Sequence, residues 1–147
     1  MTSKKTHTQH VERIEDGDEL IAIILRHEFK KDGLEFFTPN EFSQQLGYMN
    51  HPTGHTIPAH IHKQHLRNVT YTRETIYVKS GKTKVDFYTE QKKFIVSKTL
   101  KTGDILFISS GGHGFTMLEP TEMIEVKQGP YFGDQDKEVF EKMKVNN

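Results

Sequence analysis

The chain has 147 residues, with 20 Lys and Arg against 20 Asp and Glu, no cysteine and no tryptophan. That length suits one domain with a real core. The even charge balance removes the electrostatic case for nucleic acid or an acidic membrane surface, and the absence of cysteine excludes disulfides and thiolate chemistry.

The start, MTSKKTHTQH, carries basic residues with no apolar segment behind them, so no signal peptide is read there. Residues 1–12 read as a disordered polar lead, and 13–147 as a single domain. The longest strongly apolar run, Leu20 to Leu25, is far short of the roughly 20 residues a bilayer requires. A cytoplasmic location is the resulting expectation. LIAIILRHEF is rich in Ile and too short for a helix, and it reads as a buried strand. Thr38-Pro39-Asn40-Glu41 has the shape of a capping box, so a short helix, NEFSQQL, is expected to follow and to stop at Gly47.

From Pro52 onward the pattern is one of strands. Glu74, Ile76 and Val78 share one face, and Ser80-Gly81 reads as a hairpin turn. In KTKVDFY, Val85 and Phe87 share a face opposite Lys84, Asp86 and Tyr88. KFIV, ILFIS, HGFTML and EMIEVKQ complete the strands, with a turn at Thr102-Gly103-Asp104. DQDKEVFEKMK reads as a C-terminal helix whose Val139, Phe140 and Met143 cover one end of the domain. Short strands at fairly even spacing suggest a sandwich or barrel, mostly β with small helical additions.

Chemistry concentrates in GHTIPAHIHKQHLRNVTYTRETIYVKSG, which holds four of the nine histidines. Residues two apart on a strand share a face, so His60 and His62 would aim two imidazoles the same way. The same parity puts Glu74 beside Ile76 and Val78, and His113 beside Phe115 and Met117, inside the domain. A buried carboxylate needs a partner, and a divalent ion held with neutral imidazoles would be one. The candidate metal ligands are therefore His60, His62, Glu74 and His113, a set that suits Mn, Fe, Co, Ni or Zn without choosing among them. Plainer readings stand beside this one. His-x-His can be a solvated edge, Glu74 can pair with Arg73 or Lys79, and His113 can simply occupy a turn. His65 is a further ligand candidate if the connection folds back.

The segment from Gly54 to Gly81 resembles the first motif of the cupin superfamily: a Gly, five residues, His-x-His, a gap, a Glu, six residues and a Gly. Gly103-Asp104-Ile105-Leu106 through Gly111, Gly112 and His113 is similar to the second motif. Four features depart from the family pattern. Eleven residues separate His62 from Glu74, a longer connection than is usual there. Ser109 and Met117 stand where the family often has Pro and Asn, and His113 comes one residue early.

The resemblance implies a double-stranded β-helix, or jelly-roll barrel, with one divalent transition metal per chain and a pocket open at one end. It also implies a small-molecule ligand, for instance a sugar or sugar nucleotide. The leading expectation is an isomerase or epimerase acting on a small polar carbonyl compound or sugar, with the metal as Lewis acid. An Fe(II) dioxygenase and a non-catalytic binding module are the alternatives. Arg67, Tyr71 and Gln128 are candidate substrate contacts. Arg67 could clamp an anion, and Gln128 would sit at the end of an inward face formed by Ile124 and Val126. A homodimer is expected by analogy, with LIAIILRHEF as the candidate shared strand.

Overall fold

The computed structural model describes residues 9–142. Ten strands follow in order: β1 (Val11–Asp16), β2 (Glu19–Leu25), β3 (Gly33–Phe36), β4 (Gly47–Asn50), β5 (Glu74–Ser80), β6 (Lys82–Tyr88), β7 (Phe94–Lys101), β8 (Ile105–Ile108), β9 (Gly112–Met117) and β10 (Glu122–Lys127). A five-stranded sheet has the order β1-β2-β8-β5-β10, a three-stranded sheet the order β7-β6-β9, and β3-β4 form a separate ribbon. Every pairing is antiparallel. The fold is therefore mostly β, and its sheets do not close into a barrel.

The two larger sheets meet over a core that includes Ile24, Ile76, Val78, Leu106 and Ile108 from one and Val85, Phe87 and Leu100 from the other. A second cluster lies on the far side of the five-stranded sheet. There Leu20, Ile23, Leu25 and Phe107 pack against Phe29, Phe37 and Leu46. This explains why LIAIIL and ILFI are nearly continuous apolar runs. β2 and β8 are covered on both faces, so neither face can be polar. β2 is also hydrogen-bonded on both edges, to β1 and β8. Within the chain, the LIAIIL part of LIAIILRHEF, named above as a candidate shared strand, is thus paired on both edges. β1 already includes Val11 and Glu12, so the polar lead ends earlier than residue 12; residues 1–8 lie outside the described residues.

The helix expected over NEFSQQL is absent, and residues 37–46 form a loop. Thr38 does act as a cap, but its hydroxyl accepts from the Leu46 amide at 3.1 Å and donates to Gln45 Oε1 at 2.7 Å. The Gln45 side-chain amide then donates to the carbonyls of Pro39, Asn40 and Phe42. A side chain thus satisfies carbonyls that a helix would have paired with later backbone amides, which is how such residues compete with helix. Gly47 is no helix stop. A β-carbon there would lie 2.7 Å from the Phe36 ring, so glycine permits the close β3–β4 approach.

The expected C-terminal helix is also corrected. Among the described residues the only helical turn beyond β10 is a three-residue 3-10 turn at Gly133–Gln135. Residues 138–142 run as a strap over the outer face of β6 and β9. Glu138 meets Lys92, Phe140 sets its ring edge-on to Tyr88 at 5.2 Å, and Lys142 meets Asp86. Contacts at 138, 140 and 142 have the period of an extended chain, not of a helix. Val139, expected to help cover one end of the domain, is 86% exposed, and Met143 lies outside the described residues.

The turn between β7 and β8 ties the larger sheet together. Asp104 is fully buried. Its carboxylate accepts from Arg26 Nη1 at 2.9 Å and from the backbone amides of His27 and Lys101, both at 3.0 Å. Gly103 holds φ +90°, and a β-carbon there would meet the His27 ring at 2.4 Å, so only glycine fits.

Candidate functional site

Glu74 is the first residue of β5 and His113 the second of β9, so the two sheets each contribute one member. Glu74 continues the inner face of Ile76 and Val78, and is itself 9% exposed. His113 stands opposite Phe87 and Phe115 opposite Val85, which puts both on the core face of the smaller sheet. Across the gap His113 Nε2 lies 3.1 Å from Glu74 Oε1. The imidazole packs edge-on against Phe115 at 5.8 Å, and its Nδ1 is buried with no hydrogen-bond partner.

β10 supplies the rest of this end of the sandwich. Lys127 is directly opposite Glu74 and Glu125 opposite Ile76, so both share the inner face. Ile124 and Val126 are 52% and 60% exposed and point outward. This reverses the sequence expectation that Ile124, Val126 and Gln128 face inward. Glu125 and Lys127 were consequently missed, although the Met-x-Glu-x-Lys alternation from Met123 carried the signal. Lys127 also reaches Asp136 at 3.7 Å.

The electrostatics follow from this crowding. Burial disfavours the charged form of Glu74, but hydrogen bonds from His113 and Glu125, with the nearby Lys127, outweigh it and bring its pKa down to about 2. Glu125 shifts the opposite way: the hydrogen bond it shares with Glu74, its burial and the Glu74 charge all favour its protonated form. The two carboxyl groups thus shift in opposite directions, Glu74 down and Glu125 up.

The predicted ligands are gathered only in part. His60 and His62 lie in residues 51–72, which form no strand and are exposed throughout. The parity argument for them needs a strand, and the chain makes none there. Their rings stand edge to face at 5.2 Å, and His60 Nδ1 donates to the Pro58 carbonyl at 2.8 Å. Among the described residues no three His, Asp or Glu side chains form a group that could hold a metal ion. His65 lies in the same exposed segment.

The donor chemistry nevertheless suits a transition ion at the pair. Adjacent nitrogen and oxygen ligands at about 2.0–2.2 Å from such an ion stand about 3 Å apart when they meet it at right angles. The observed 3.1 Å therefore matches neighbouring ligands as well as a hydrogen bond. His60 has the matching tautomer, since an Nδ1–H donated to a carbonyl leaves Nε2 as the basic nitrogen.

Of the three candidate substrate contacts, Arg67 is exposed and lies 3.5 Å from the His65 carbonyl. The Gln128 side-chain amide donates to the neighbouring Gly129 carbonyl at 3.2 Å. Tyr71 lies beside Arg73, whose guanidinium carbon is 5.5 Å from its ring centroid. Comparison with protein-family models, curated proteins and solved structures finds no match.

Proposed function

We propose that the end of the sandwich around Glu74 and His113 is a metal-dependent small-molecule site of the cupin kind. In this reading it acts on a small polar carbonyl compound or sugar by isomerisation or epimerisation. The supporting observation is the meeting of a carboxylate and an imidazole from opposite sheets, 3.1 Å apart, at the edge of an apolar core. Glu74 and His113 would hold the ion, with His60 and His62 joining from the 51–72 segment. Eleven residues join His62 to Glu74, and an extended chain spans at most about 3.3–3.6 Å per residue. When bound, such an ion supplies Lewis-acid polarisation of a substrate oxygen.

The chain's own residues provide the remaining chemistry. Glu125, which keeps its proton to higher pH than an ordinary Glu, is placed to exchange it at the mouth. Lys127 supplies positive charge on the same face. Phe115 and the core behind it exclude water from one side of the imidazole.

Elemental analysis by mass spectrometry tests the reading. Near-stoichiometric metal is expected in the wild type, with loss in Glu74→Gln, in His113→Ala and in the His60→Ala/His62→Ala double variant. Absence of metal after reconstitution with Mn, Fe, Co, Ni and Zn would sink it. A second reading is favoured by the full exposure of residues 51–72: Glu74 and His113 work without metal as an acid–base pair. In that case a ligand found by metabolite screening binds the His60→Ala/His62→Ala variant as tightly as the wild type.

A further inference from the structure

Arg73 precedes Glu74 by one residue and therefore points to the opposite side of the sheet. Its guanidinium is stacked on the Phe42 ring at 4.0 Å, and Nη1 donates to Ser43 Oγ at 3.0 Å. Phe42 is fixed in turn by stacking on Phe107. The fork is thus held in one orientation, with its rotamer freedom already lost. Yet Nε is buried without a hydrogen-bond partner, and among the described residues no carboxylate lies within ion-pair distance of Arg73. An arginine immobilised on an aromatic ring, with one hydroxyl acceptor and no carboxylate partner, is an incomplete arrangement. Leaving a buried donor unpaired has a real cost, and the rest of the fork, which is not so enclosed, remains open to an acceptor.

The space in front of Arg73 is a crevice of about 230 Å³, lined in part by Tyr71, Ser110, Asp18 and Glu19. Its lining carries both signs of charge. Arg73 presents a planar cation, which suits a planar carboxylate bidentately. Asp18 and Glu19, exposed where the β1–β2 turn enters β2, present carboxylates that accept hydrogen bonds but donate none. A simple polyanion would meet repulsion from those carboxylates. A molecule with a carboxylate at one end and hydroxyl or ammonium groups at the other satisfies both.

We propose that this crevice binds a small carboxylate bearing hydrogen-bond donors, a hydroxy acid such as a uronic acid or an amino acid, with its carboxylate on Arg73 and its donors toward Asp18 and Glu19. The site is independent of the reading given to Glu74 and His113, because it lies on the other side of the sheet and uses neither.

The test follows the Arg73 Nε–H resonance by ¹H–¹⁵N NMR, titrating the full chain with D-glucuronate, L-serine, neutral D-glucose and inorganic phosphate. D-glucuronate or L-serine is expected to move that resonance saturably, and glucose to leave it in place. The responding compound identifies which donor group the site takes. Binding should fall at least tenfold in Arg73→Lys, which keeps the charge and loses the fork, and at least threefold in Asp18→Asn/Glu19→Gln. The latter pair is exposed, so its replacement leaves the fold intact. The His60→Ala/His62→Ala variant should bind unchanged, which separates failure here from failure of the metal reading. The proposal is overturned if neither carboxylate moves the resonance. It is also overturned if phosphate binds as tightly as the carboxylates, or if the Asp18/Glu19 variant binds as well as the wild type.

Discussion

Replacing Asp104 with alanine removes a fully buried carboxylate that accepts three hydrogen bonds, from Arg26 Nη1 and from the amides of His27 and Lys101. The two amides belong to different parts of the chain, so the substitution strands both and leaves Arg26 without one of its partners. Breaking a buried ion pair from one side costs about 3–5 kcal/mol. Arg26 keeps Glu12, to which its Nε donates at 2.7 Å, so the lower part of that range applies. At about 2.1 cal/mol/K per residue, a 147-residue chain has an unfolding entropy of about 0.3 kcal/mol/K, and a loss of about 3 kcal/mol lowers Tm by about 10 °C. Thermal and urea unfolding followed by circular dichroism measure both quantities. Asp104→Asn keeps the shape and an acceptor oxygen, so it should lose less. An alanine variant destabilised by under about 1 kcal/mol would refute the view that this carboxylate joins the β7–β8 turn to β2.

Gln45→Ala should destabilise the protein by about 0.5–1.5 kcal/mol, because the part-buried Thr38 hydroxyl loses its acceptor while water can replace the amide at the three exposed carbonyls. Hydrogen exchange should show faster opening at Leu46, and unchanged protection there would count against the loop model. Glu12 offers a pH test. Burial opposes its ionisation, but hydrogen bonds from Lys98 and Arg26 prevail and lower its pKa from 4.5. Its contribution is therefore fully present above about pH 4.5 and is lost as pH falls below that. The stability gap between wild type and Glu12→Gln should be present at pH 7 and close at lower pH, and a gap that ignores pH would contradict the assignment. Phe140→Ala should release the C-terminal strap from Tyr88, seen as faster limited proteolysis after residue 136 with little change in Tm. Equal proteolysis rates would show that the ring does not hold the strap.

Much of the sheet architecture was legible because a period of two is simple to read where one face is apolar. Ile76 and Val78 located Glu74, and Phe115 located His113, on inner faces that do meet. The same logic failed at β10, because Ile124 and Val126 are the larger apolar residues and yet face outward. At the end of a sheet the inner face is not fully covered, so polar residues such as Glu125 can occupy it, and apolarity stops reporting direction. The capping box misled for a different reason. Thr38 caps as expected, but Gln45, seven residues on, outcompetes the helical backbone, and nothing in local propensity encodes that contact. The histidine pair was placed on a strand by its spacing alone, and spacing cannot create the neighbouring strand that a ladder requires.

The double-sided burial of β2 has a consequence for the order in which the protein is made. β2 leaves the ribosome before β8, and its hairpin partner β1 covers only one edge. The other edge pairs with β8, which is synthesised much later, and its outer face waits for Phe29, Phe37 and Leu46. During that interval LIAIIL is a bare, uncharged, β-prone segment, the composition that self-associates most readily. Yield in the cell should therefore depend on chaperone protection of the nascent chain more than on the stability of the finished fold. A polar substitution at Ile23 would ease the first problem while undoing the second, because that side chain ends fully buried.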